Sequence, residues 1–175
     1  MKKLQTAQSA GFCFGVRRSV EMAEKLLQSG PCISFGMLIH NEDEVQRLQN
    51  LGMKTVEHTA DIQPGDRVLI RAHGVPPETY RELEDRGAVI SDATCPKVML
   101  IHRIVEKARE DRRFTVIIGM KSHPEVEAIR ARCGEYIILE SPEEVQQWLD
   151  GHPETVQLPL SVVAQTTQIK NNFEK

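Results

Sequence analysis

The sequence predicts an α/β protein of repeated lobes, each a mostly parallel sheet flanked by helices. Three observations predict it. Short apolar runs rich in β-branched residues alternate with amphipathic stretches of helical length. The apolar runs lack the polar alternation of a half-solvated strand, which places them in sheets covered on both faces and joined by right-handed crossovers. Two blocks, LIRAHGVPPETYRELEDRG and VIIGMKSHPEVEAIRARCG, also repeat one order of strand, His, Pro-Glu and helix.

The first helix follows Gly15, because Val16, Val20, Ala23 and Leu27 recur at i, i+4, i+7 and i+11, one face of a 3.6-residue period. The strand-like run CISFGMLI and the helix-like NEDEVQRLQNLG come next, followed by the pairs DRVLIRA with PPETYRELEDRG and AVISDA with PKVMLIHRIVEKARE. In the last of these, Val98, Ile101, Val105 and Ala108 share a helix face. Pro96 suits the first helical position, where its missing N–H costs nothing, and this makes Cys95 the N-cap. The run FTVIIGM precedes the helix PEVEAIRARCG, and another apolar run, SVVA, leads into QTT. No low-complexity linker divides the chain. The boundary is expected near Cys95, giving a first lobe over 1–95 and a second over 96–175.

The 175 residues are 40% hydrophobic and 27% charged, with 11 Gly and 9 Pro, which excludes a disordered, collagenous or coiled-coil chain. With 22 Lys+Arg against 25 Asp+Glu, spread without blocks, no nucleic-acid or anionic-membrane partner is expected, and small molecules are. No run approaches the roughly 18 apolar residues of a spanning helix. The opening MKKLQTAQSA lacks the apolar core of a secretion signal. A cytoplasmic protein with reduced thiols is therefore expected. Its four cysteines, Cys13, Cys32, Cys95 and Cys133, form no C-x-x-C pair, so any metal site must be assembled by the fold.

Chemically capable residues sit where strands hand over to helices: Cys13, His40-Asn41-Glu42, His73-Gly74, Thr94-Cys95 and Ser122-His123-Pro124-Glu125. In open parallel sheets the ligand crevice lies outside the carboxyl ends of the strands, so these junctions are expected to converge on one pocket. Cys13 and Cys95 would lie at helix N-termini, which favour negative charge, and thiolates bind soft metals. Each is equally readable as a small core residue, and Cys32 and Cys133 are read only so. Three junction histidines in front of helix N-termini describe an anion site in which imidazolium and backbone N–H groups hold phosphate oxygens. His58, His102 and His152 fall outside this pattern and are read as caps or partners of buried carbonyls. Glu125 is either a proton donor or a first-turn acid on the helix dipole. Thr166 and Thr167 could hydrogen-bond a ligand hydroxyl or simply cap.

The segments GFCFGVRRSVEMAEK, LIHNEDEV, RAHGVPPE, SDATCPKV, SHPEVEAI and VAQTT, in this order, resemble the 4-hydroxy-3-methylbut-2-enyl diphosphate reductase family of the methylerythritol phosphate route to isoprenoids. The resemblance covers nearly the whole chain. It implies a reductive dehydroxylation of that allylic diphosphate to isopentenyl and dimethylallyl diphosphate, with two electrons from a ferredoxin or flavodoxin type donor. It also implies a 4Fe-4S cluster held by three cysteines, with one iron open to act as Lewis acid and electron relay. By the same resemblance, Cys13 and Cys95 are two cluster ligands, and His40, His73 and His123 bind the diphosphate. Glu125 delivers a proton, and Thr166, in preference to Thr167, hydrogen-bonds the substrate hydroxyl.

The resemblance further implies three lobes, with the third lobe, the third cysteine and the Ser and Asn side chains that complete the diphosphate pocket following the stretch printed. Neither Cys32 nor Cys133 stands in the third ligand's motif. The stretch Asn171–Lys175 is expected inside a helix. Two lobes by themselves are expected to hold a cluster weakly, to expose apolar surface and to show little or no reductase activity. A non-catalytic phosphate-ligand binding module would keep the histidines and need no cluster. A zinc hydrolase fits less well, since no ligand pair has the short zinc spacing.

Overall fold

The structure, a computed structural model, describes residues 10–168; the helix expected over Asn171–Lys175 lies outside the described residues. Helix α1 (Phe14–Leu27) leads into β1 (Cys32–Phe35), α2 (Glu42–Asn50), β2 (Met53–Val56), β3 (Arg67–Ile70), α3 (Pro77–Asp85) and β4 (Val89–Asp92). The long helix α4 (Pro96–Glu110) follows, then β5 (Phe114–Ile118), α5 (Pro124–Arg130), β6 (Tyr136–Leu139), α6 (Pro142–Gly151) and β7 (Leu160–Ala164). Two sheets result, ordered β2-β1-β3-β4 and β6-β5-β7, and every strand pair in them is parallel. No described helix is long and apolar enough to cross a membrane.

The strand pleat divides the first lobe's core in two. Leu69 joins Val20, Ala23 and Leu48 on the face covered by α1 and α2. Its neighbours Val68 and Ile70 point the other way, against Phe35 and Leu83 on the α3 side. In the second sheet, Ile117 and Val163 pack with Val126 and Ile129 of α5 and Val105 of α4. Each fully buried Leu or Ile contributes about 1.5–3 kcal/mol relative to an exposed one. The apolar faces expected of α1 and α4 are the ones these cores use: Val20 and Ala23 on α1, and Val98, Val105 and Ala108 on α4, are buried.

Two differences follow from sheet edges. Strand β2 carries little hydropathy signal of its own, because it lies at an edge and only one of its four residues is fully buried, whereas the edge strand β6 is an apolar run, YIIL, missing from the expected strands. The run AVISDA is not doubly covered either: β4 is an edge strand, and Val89 is 58% exposed. Helix α6 follows from its cap instead, since the Ser141 hydroxyl accepts the Glu144 N–H at 3.3 Å.

Candidate active site

Backbone pairing continues past the strand ends and sets the site. Ala72 N–H donates to Leu38 C=O at 3.1 Å, and Cys95 N–H donates to Ala72 C=O at 2.9 Å. These bonds hold the segments carrying His40, His73 and Cys95 side by side. From the second sheet, β5 ends at Ile118 and hands over to His123, the N-cap of α5.

Three imidazoles from three separate strand ends meet there. The His40 and His73 ring centroids lie 4.6 Å apart, and His123 lies 5.5 Å from His40 and 5.3 Å from His73. His40 is exposed, and the other two are half-buried. Burial, with the neighbouring His40, His123 and Arg71, pushes His73 down to about 4. Burial lowers His123 as well. Burial therefore disfavours the imidazolium form of both rings, which leaves ring N–H donors and lone-pair acceptors to serve a ligand. For His123 the choice is set locally. Its Nδ1 accepts the Glu125 N–H at 3.1 Å, so the neutral ring carries its proton on Nε2.

Glu125 is 1% exposed. Its Oε1 accepts the Thr166 N–H at 2.6 Å and its Oε2 accepts the Thr166 hydroxyl at 2.8 Å. Burial raises the Glu125 carboxyl above the usual carboxylate range, and the two Thr166 bonds pull it part of the way back. The carboxylate thus ties the start of α5 to the end of β7 and holds Thr166 at the surface. Thr167 instead accepts a bond from the Gln165 side chain at 2.6 Å.

Each of the two junction thiols stands at the start of a helix. Cys13 is the N-cap of α1 and Cys95 the N-cap of α4, and neither side chain makes a capping hydrogen bond. A Cβ built on Gly15 would lie 2.5 Å from Cys95 Sγ, so only a residue without a side chain lets the first turn of α1 approach this thiol. Arg18 and Ser19 fix the approach: Arg18 donates to Thr94 C=O at 3.2 Å and Asp92 C=O at 3.3 Å, and the Ser19 hydroxyl is shared between Gly15 C=O and Ala93 C=O. Thr94, the residue before Cys95, lies close to the His73 segment: its Cγ2 stands 3.3 Å from where a Gly74 Cβ would be. Cys32 is buried in the first core, and Cys133 packs against the second with its thiol pushed up to about 11 by burial.

Three residues of this region carry no signal in the sequence pattern. Arg71 fills the space a Gly36 side chain would take and donates to Gly74 C=O at 3.3 Å; it also reaches an open cleft of about 590 Å³ lined in part by Glu57, His58 and Glu127. Buried Arg132, at the end of α5, crosses between lobes to Val75 C=O at 2.9 Å and also bonds Ala128 C=O at 2.6 Å. His102 corrects its reading as a satisfied core histidine: it is 6% exposed, its Nε2 has no partner among the described residues, and its ring lies against Gly74. Of the other histidines, His58 caps a short helical turn without a side-chain bond, and His152 Nδ1 lies 3.0 Å from Trp148 C=O.

Residues 4–175 match the model of a family described as LytB protein. The chain is 39% identical over 175 residues to the 4-hydroxy-3-methylbut-2-enyl diphosphate reductase of Aquifex aeolicus, an alignment covering 97% of this chain and 58% of that relative. It is 36% identical over 174 residues to the Nitratiruptor sp. protein of the same name, covering 99% and 60%. A solved reductase structure, described as the terminal enzyme of the non-mevalonate pathway, superposes with a TM-score of 0.80 at 38% identity and covers 96% of this chain and 59% of its own. The Plasmodium falciparum reductase superposes with a TM-score of 0.87 at 26% identity, covering 95% and 52%. The chain therefore spans a little over half the length of these relatives.

Proposed function

The chain belongs to the LytB protein family, and from that premise we propose that it supplies the diphosphate-binding and proton-delivering wall of a 4-hydroxy-3-methylbut-2-enyl diphosphate reductase. The observation that carries the reading is the meeting of His40, His73 and His123 from three strand ends beside a buried carboxyl, Glu125. In this reading the 1–95 and 96–175 segments act as two lobes that close on one ligand.

His123 offers its Nε2–H to a phosphate oxygen without first taking up a proton, because its Nδ1 is held as an acceptor. His40 and His73 complete the ring of donors. Burial favours the protonated Glu125 carboxyl, and once protonated, its Oε2 donates to Thr166 Oγ1 in a reversal of the bond at 2.8 Å. The Thr166 hydroxyl proton is then free for the substrate's hydroxyl, which leaves as water when it is protonated. Packing of α5 against β7 keeps this carboxyl dry until it is used.

The residues present fit two of the three thiolate ligands that the family's 4Fe-4S cluster is expected to have. Cys13 and Cys95 are uncommitted thiols at two helix N-termini, and the missing side chain of Gly15 leaves room for the Cys95 Sγ. These two would supply two of the cluster's ligands, and when bound it would relay electrons one at a time and offer an open iron. The electrons would come from a ferredoxin or flavodoxin type donor.

Pyrophosphate calorimetry together with anaerobic iron and sulfide analysis tests the reading. We expect pyrophosphate binding that falls on the order of 10-fold or more in His40→Asn and persists in Glu125→Gln, with iron and sulfide lost in Cys13→Ser and Cys95→Ser. Pyrophosphate binding with no iron or sulfide in any form would leave a phosphate-ligand binding module. Binding indifferent to the histidines would overturn both.

A further inference from the structure

We propose that His40, His73 and His123 also form a binding site for one divalent transition ion of the zinc and cobalt class. One ring nitrogen from each histidine can be chosen so that all three lie within 4.8 Å of one another. Around a tetrahedral ion with bonds of about 2.0–2.1 Å, ligand nitrogens sit about 3.3 Å apart, so each must move inwards by less than about 1 Å. His40 is exposed, so rotation about its side-chain torsions brings its nitrogen towards those of the half-buried His73 and His123.

The set is selective by its chemistry. It holds three imidazoles and no carboxylate. Calcium and magnesium, which take oxygen ligands, are therefore poor occupants, whereas zinc, cobalt and nickel suit imidazole. Three ligands leave a fourth position for water or an incoming group. An independent observation points to a missing partner: His73 Nδ1 is buried and makes no hydrogen bond among the described residues. A buried ring nitrogen without a partner is uncommon, and an ion or a ligand oxygen is what would satisfy it. Arg71 is the nearby cation that opposes the ion. Its side chain is engaged by Gly74 C=O and faced by Glu57 and Glu127.

The site goes beyond the diphosphate reading, and the two uses require opposite tautomers of His123. Phosphate takes the Nε2–H as a donor and leaves Nδ1 accepting from the Glu125 N–H. A metal ion at Nε2 takes the lone pair there, moves the remaining proton to Nδ1 and breaks the 3.1 Å bond to the Glu125 N–H. A transition ion on His123 Nε2 therefore excludes a direct hydrogen bond from that nitrogen to a phosphate oxygen.

Cobalt titration of untagged protein in a Cys13→Ser, Cys95→Ser background tests the site without thiolate ligands. We expect one Co2+ per chain with the visible ligand-field bands of a four-coordinate ion, displaced by one equivalent of Zn2+. His40→Asn changes an exposed residue, and circular dichroism checks that it folds; it should weaken binding on the order of 100-fold. Nitrogen-15 spectra of the zinc form should show the His123 proton moved from Nε2 to Nδ1. Cobalt bands unchanged by His40→Asn, bands of a fully hydrated ion only, or an unmoved His123 proton would each overturn the proposal. Pyrophosphate calorimetry on metal-free protein reads the diphosphate site separately, so failure of one reading leaves the other standing.

Discussion

Replacing Gly15 with Ala tests how closely α1 and the Cys95 thiol are fitted. In a helix interior Ala is worth about 1 kcal/mol over Gly, and at Gly15, the second residue of α1, propensity alone favours the variant by less than that. The new methyl, however, would stand 2.5 Å from Cys95 Sγ and 3.1 Å from Cys95 Cβ. The first contact is about 1 Å inside ordinary packing distance, and overpacking of this kind costs about 1–3 kcal/mol. The helix cannot back away cheaply, because Arg18 and Ser19 hold it to the Asp92–Thr94 carbonyls. We therefore expect Gly15→Ala to destabilise the metal-free, reduced protein by up to about 2 kcal/mol. In a Cys95→Ala background Sγ is gone, and the same change should be close to neutral. Urea unfolding of the four proteins in this double-mutant cycle should give a coupling of about 1–2 kcal/mol. Coupling within about 0.3 kcal/mol of zero would show that the close approach does not exist in solution and would remove the argument that Gly15 makes room at this thiol.

Two further outcomes follow from the buried polar groups between the lobes. His102 is pushed down to about 4 by burial, while the unfolded chain titrates near 6.5. Its contribution is thus present above pH 6.5 and is lost as pH falls towards 4, by up to about 3 kcal/mol. Urea midpoints at pH 4.5 and 7 should show a weaker acid sensitivity in His102→Asn, with His73 leaving a residual slope; an unchanged slope refutes it. Arg132→Met removes the bond across to Val75 C=O. A buried carbonyl left without a partner costs about 1–3 kcal/mol, so the urea midpoint should fall correspondingly. An unaltered midpoint would mean that this link between lobes contributes nothing.

The sequence by itself determined what depends on neighbours along the chain. The 3.6-residue spacing of Val16, Val20 and Ala23 and the Pro after Cys95 specify helices and their starts, because each is a property of a few consecutive residues. The doubly buried strands β1, β3 and β5 are legible for the same reason, whereas the edge strand β2 is not, since half its surface asks for nothing apolar. Sequence motifs also pointed to the histidines, the thiols, Glu125 and Thr166 as candidates.

Only the tertiary structure decided how those candidates are grouped. Strand order and the bonds beyond the strand ends bring His40, His73 and His123 together, and the β5·β7 pairing lets Thr166 rather than Thr167 bond Glu125. Burial, which no single residue carries, disfavours the charged form of His73 and His123. Arg71, His102 and Arg132 gain their places only because residues far apart in sequence leave them a glycine-sized gap or an unpaired carbonyl. Proximity between distant segments and loss of solvent are collective quantities, and they exist only once the chain has folded.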